Sequence, residues 1–199
     1  MFTGLFRRDP VAFAFVRNLL LAFIPAVVLG LAFGDYIEAL LENAVVVAWA
    51  LIIGGFGILL VERFAKPQES GGVANLSTRQ SIIVGLVQCI AMIPGVSRSG
   101  ATIMGAMALG IDRKTAAEFS FFLALPTLTG ATVLQLAKHR DAITSSDMGL
   151  IALGAAVSFV VAWAVIKAFL AVVTRYGFAP FAWYRIIVGG AALIWLTMR

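Results

Sequence analysis

Pro94-Gly95-Val96-Ser97-Arg98-Ser99-Gly100-Ala101-Thr102 is the stretch that decides how this chain is built. It interrupts an apolar region running from Ser81 to Gly110. Pro and Gly stop a helix, so one helix starting near Ile82 ends here and a second begins at Ser99 or Gly100. Neither half, at ~1.5 Å per residue, crosses a hydrocarbon core of ~30 Å. Irregular backbone at membrane depth is tolerated only where protein buries it or where it lines a wet cavity. The region, about residues 81–110, therefore reads as a re-entrant helical hairpin with its tip inside the membrane.

The rest of the chain supports a membrane setting. Of 199 residues, 61% are hydrophobic and 13% are charged, against about 25% charged in a soluble domain. Apolar runs at about 11–33, 44–61, 115–137, 148–174 and 178–197 are long enough to be full spans. The expected fold is all-α: a polytopic membrane protein of about five transmembrane helices plus one hairpin, forming one domain over 1–199. Residues 67–78 are the one linker-like stretch. Arg7 and Arg8 precede the first span, Asp35, Glu38 and Glu42 follow it, and Lys66 lies beyond the second. The positive-inside rule then puts the N-terminus and the Lys66 loop in the cytoplasm. Lys138 and Arg140 would fall outside, against that rule. The net charge of +5 forms no basic stripe interleaved with aromatics, so nucleic acid is not an expected partner. Cys89 and His139 are each the only residue of their type. They give neither an internal disulfide nor a zinc cluster, and no metal ligands are identified.

The hairpin tip carries the chemistry. Ser99 suits an N-cap, and the amides that follow it lack intrahelical acceptors. Those amides and the helix dipole attract anions. Gly100 lets a ligand approach the backbone, and Gly95 opens the turn. Thr102 lies one turn beyond Ser99. Arg98 brings a permanent charge and a planar fork matched to phosphate oxygens. An alternative has Arg98 paired with a carboxylate such as Glu118, and the hydroxyls bonding neighbouring helices. Gln88 either faces the same cavity or bonds another helix. Trp183, Tyr184 and Arg185 have the composition of an interfacial belt, with Arg185 snorkelling.

These residues also carry a resemblance. The run from Val87 to Thr102, with Pro94-Gly95-Val96-Ser97-Arg98-Ser99-Gly100-Ala101-Thr102 at its end, resembles a signature of the undecaprenyl-diphosphate phosphatase family, the bacitracin-resistance BacA/UppP type. Ile24-Pro25-Ala26-Val27-Val28-Leu29-Gly30, the Glu118 to Pro126 run and Tyr184-Arg185 fit it too. The resemblance implies hydrolysis of the C55 isoprenoid diphosphate to undecaprenyl phosphate and inorganic phosphate, which recycles the lipid carrier of cell-wall synthesis. It implies a multi-pass protein of the bacterial inner membrane, an inverted-repeat arrangement, and a divalent cation, Mg²⁺ or Ca²⁺, whose ligands are not identifiable here. The implied partners are a polyprenyl diphosphate and membrane lipids, with a homodimer left open. Arg98, Ser97 and Ser99 would be catalytic. Gly95, Gly100, Thr102, Gln88 and Glu118 would bind substrate. Members of the family carry an earlier hairpin with Glu-x-x-x-Glu and Pro-x-Ser-Ser-Thr-Gly-His patterns, which the sequence given does not show. A truncated, inactive member is therefore one alternative expectation, and a polyprenyl-phosphate carrier, which broken helices and an inverted-repeat half would suit, is another.

Overall fold

The computed structural model describes residues 10–66, 68–138 and 147–198. Eight α-helices are present among them: α1 (Pro10–Ala32), α2 (Gly34–Leu41), α3 (Ala44–Phe64), α4 (Thr78–Gln88), α5 (Arg98–Ala108), α6 (Arg113–Lys138), α7 (Asp147–Tyr176) and α8 (Ala179–Thr197). Helices α1, α3, α6, α7 and α8 are long and apolar enough to cross a membrane, so the chain is an all-α polytopic membrane protein. Their outward faces are apolar, as lipid contact requires: Ile53, Phe56, Leu150, Phe159 and Trp163 are all exposed.

Two boundaries differ from the sequence reading. The acidic segment after the first span, read as a loop, forms the short helix α2. The hairpin begins earlier than residue 81, at Thr78. Ser77 and Gln80 close a reciprocal capping box there, with Ser77 Oγ accepting from Gln80 N–H and Gln80 Oε1 accepting from Ser77 N–H. His139 and Arg140 lie outside the described residues.

The hairpin is re-entrant. Helices α4 and α5 have 11 residues each, so each rises only ~16 Å. Helix α4 tightens into a 3-10 turn at Cys89–Met92 before Pro94 ends it. The segment leading into α4 and the end of α5 lie on one side, because Gln68 N–H donates to Gly110 O at 2.7 Å and Ser70 N–H donates to Asp112 Oδ2 at 3.2 Å. Glu62 closes the same side. Its Oε1 accepts from Phe178 N–H at 2.9 Å and pairs with Arg113 Nη2 at 3.3 Å. The ends of α3 and α7 and the starts of α6 and α8 therefore share one membrane face with the hairpin's mouth.

The hairpin is gripped along its length. Helix α4 lies so close to α1 that a Cβ at Gly85 would overlap the Ala22 backbone. Ile103, Met107, Phe119 and Leu123 pack α5 against α6 in the buried core. Helices α3 and α8 cross tightly, a Cβ at Gly189 falling 2.8 Å from Ala48 O.

Candidate functional site

The tip is built by a turn and a cap. Gly95 has φ +89°, a conformation that disfavours side chains. A Cβ there would also sit 2.5 Å from Val47 O of α3. Val96 N–H donates to Ile93 O at 3.0 Å, closing the turn. The cap is Ser97, not Ser99: Ser97 Oγ accepts from Gly100 N–H at 3.0 Å, and α5 starts at Arg98. The first-turn amides of Arg98 and Ser99 have no intrahelical acceptor by their position. Ser97 Oγ and Ser99 Oγ lie 3.2 Å apart.

Two arginines stand at this tip, one on α5 and one on α8. Arg98, half-buried, donates from Nη1 to Ser120 O of α6 at 3.2 Å. Arg185 comes from α8. Its Nη2 donates to Gly95 O at 2.8 Å and to Ala50 O of α3 at 3.4 Å, while its buried Nε has no protein partner. Arg185 thus points inward to the hairpin break rather than snorkelling to the interface. The sequence reading missed it because Trp183-Tyr184-Arg185 has the composition of an interfacial belt. The signal was elsewhere, in Gly54 of α3: a Cβ there would meet Arg185 Nη2 at 2.6 Å, so the glycine makes room for the crossing.

Two adjoining cavities open at the tip. One of about 210 Å³ is lined by Ser97, Ser99, Gly100, Tyr184 and Arg185, with Phe169 and Phe181 among its apolar walls. The other, of about 340 Å³, runs between α3 and α5. Arg98 lines neither of them.

The remaining candidates divide. Gly95, Ser97, Arg98, Ser99 and Gly100 come together at the tip. Thr102 is fully buried: its hydroxyl lies 2.6 Å from Ser120 Oγ and within donating distance of Arg98 O and Ser99 O. It is a strut beneath the tip. Gln88 is buried too and donates from Nε2 to Thr127 Oγ1 at 3.5 Å. Glu118 lines a separate polar recess with Glu69, Asp112 and Lys114, and no ion pair joins it to Arg98 among the described residues. In that recess, burial pulls the Asp112 carboxyl upward. Hydrogen bonds from Thr115 and Ser70 outweigh this and hold it below the usual carboxylate range.

A hydroxyl-capped, arginine-bearing half-helix inside a bundle of apolar spans defines a class: integral membrane proteins with a broken helix whose exposed amides and guanidinium have the chemistry to attract an anion. The comparisons with known proteins are specific. The family described as "Bacitracin resistance protein BacA" matches residues 1–191. An undecaprenyl-diphosphatase of Novosphingobium aromaticivorans is 59% identical over 98% of this chain and 74% of its own length. Proteins of the same name from Sphingopyxis alaskensis and Rhizorhabdus wittichii are each 56% identical over the same shares. The chain belongs to the BacA family.

Proposed function

We propose that the chain hydrolyses undecaprenyl diphosphate to undecaprenyl phosphate and inorganic phosphate in the bacterial inner membrane, recycling the lipid carrier of cell-wall synthesis. One observation supports the reading: the stretch that carries the family resemblance is also the one that folds into a capped helix start among the apolar spans. The bond between the bridging oxygen and the terminal phosphorus breaks, the oxygen of water bonds to that phosphorus, the lipid monophosphate leaves with the bridging oxygen, and the protons of water pass to the phosphate products and solvent. Arg98, by turning its guanidinium from Ser120 O toward the cavity, and the amides of Arg98 and Ser99 stabilise charge on the transferred phosphoryl group. The hydroxyls of Ser97 and Ser99 orient its oxygens. Arginine remains protonated and cannot take the proton from water.

A Mg²⁺ or Ca²⁺ ion is the cofactor the resemblance implies. The tip offers hydroxyls, amides and guanidinium groups, which do not suit a hard divalent cation. Among the described residues there is no cluster of three His, Cys, Asp or Glu side chains able to hold a metal. The described residues do not fit such a site, and what the tip supplies is binding and charge neutralisation.

Purified protein in proteoliposomes tests the reading. Release of inorganic phosphate from undecaprenyl diphosphate is the expected result. Transfer of undecaprenyl phosphate across the vesicle without phosphate release would establish a carrier instead.

A further inference from the structure

Ser120 of α6 meets Arg98 from two directions. Its carbonyl oxygen accepts from the Arg98 guanidinium at 3.2 Å. Its hydroxyl lies 2.6 Å from Thr102 Oγ1, which in turn reaches Arg98 O at 3.0 Å and Ser99 O at 3.1 Å. These bonds close a ring that leaves the Arg98 side chain, crosses α6 and returns to the Arg98 main chain. The protons within it can be assigned. Both hydroxyls are buried, Thr102 at 0% and Ser120 at 1% exposure, so each proton needs an acceptor within the protein. Among the described residues, Thr102 Oγ1 is the acceptor within reach of the Ser120 hydroxyl. Ser120 therefore donates to Thr102, and Thr102 donates to the first-turn carbonyls of α5.

The peptide plane carries this relay to the tip. Arg98 O and Ser99 N–H belong to one planar peptide unit, so fixing the carbonyl fixes the direction of the amide. A hydrogen bond accepted by the carbonyl also polarises the unit and makes its N–H a stronger donor. That N–H has no intrahelical acceptor by its position, and Ser99 lines the tip cavity. We propose that Ser120 is a positioning residue for the reaction: through Thr102 it aims the Ser99 amide at the transferred phosphoryl group. The inference rests on the phosphatase reading and brings a residue from outside the hairpin into its chemistry. An amide aimed at charge that grows in the transition state acts on kcat rather than on KM.

The test measures kcat and KM for phosphate release from undecaprenyl diphosphate in wild type, Ser120→Ala, Thr102→Val and the double variant, each below its melting temperature. Each single variant should lose about tenfold in kcat, the rate equivalent of one hydrogen bond, with KM unchanged. The double variant should lose no more than either single one, because both substitutions break the same relay. Ser120→Cys fills nearly the same space with a poor donor. It should lose as much as Ser120→Ala, and it takes that variant's place if Ser120→Ala does not fold. Losses that multiply in the double variant overturn the relay. So does wild-type kcat in Ser120→Cys or Ser120→Ala, or a raised KM with kcat unchanged. Each of those results leaves the hydrolase reading standing. Wild-type protein that releases no phosphate overturns that reading, and the role of Ser120 with it.

Discussion

Arg98 and Arg185 hold different partners at the tip, Ser120 O for the first and Gly95 O and Ala50 O for the second, and their variants should separate. Arg98→Ala removes a charge from the reacting group and should cost about 100-fold or more in kcat with the fold retained. Arg185 also carries structure, because Nη2 holds Gly95 O at 2.8 Å. Arg185→Met should therefore lower the melting temperature as well as the activity, an unpaired part-buried carbonyl costing about 1 kcal/mol. Asp112 gives a pH-dependent contribution away from the site. Its folded pKa lies below its ordinary value of 3.8, so its stabilisation is complete well above that pH and is lost as pH falls through the lowered folded value. The difference in melting temperature between wild type and Asp112→Asn should shrink on acidification below about pH 4. Arg98 was legible as a site candidate because charge inside an apolar run is expensive. Arg185 was not, because composition does not say whether a side chain near a helix start turns toward solvent or core.

At the scale of elements, the hairpin depends on one turn and one cap. Gly95→Ala meets both a positive φ and the Val47 carbonyl, and should be worse tolerated than Ser97→Ala, whose lost cap costs about 1 kcal/mol. Thermal melting of both variants in detergent would order them; equal losses would contradict this account of the turn. The helices themselves were readable from length and hydropathy, and the broken segment from Pro94 and Gly95. The cap was misplaced by two residues because Ser97 and Ser99 are chemically equivalent in sequence. Only the turn geometry decides which one meets the Gly100 amide. The role of Thr102 was equally hidden, since its partner Ser120 is 18 positions away on another helix.

For the whole molecule, the Glu62 contacts fix the arrangement of spans, joining α3, α6 and the turn between α7 and α8 on one face. In a background with Cys89 replaced by Ala, Glu69→Cys and Arg175→Cys should label from the same side of the membrane, and Glu42→Cys from the other. Labelling of Glu69→Cys and Arg175→Cys from opposite faces would break the re-entrant topology. Positive charge alone could not establish this, because Lys138 opposes the rule that Arg7, Arg8 and Lys66 obey. The most direct test of the account joins that topology to chemistry. It is phosphate release from undecaprenyl diphosphate by purified wild-type and Arg98→Ala proteins of matched melting temperature. The account predicts turnover in the first and loss of about two orders of magnitude or more in the second. Equal turnover would show that the hairpin tip is not where the headgroup reacts.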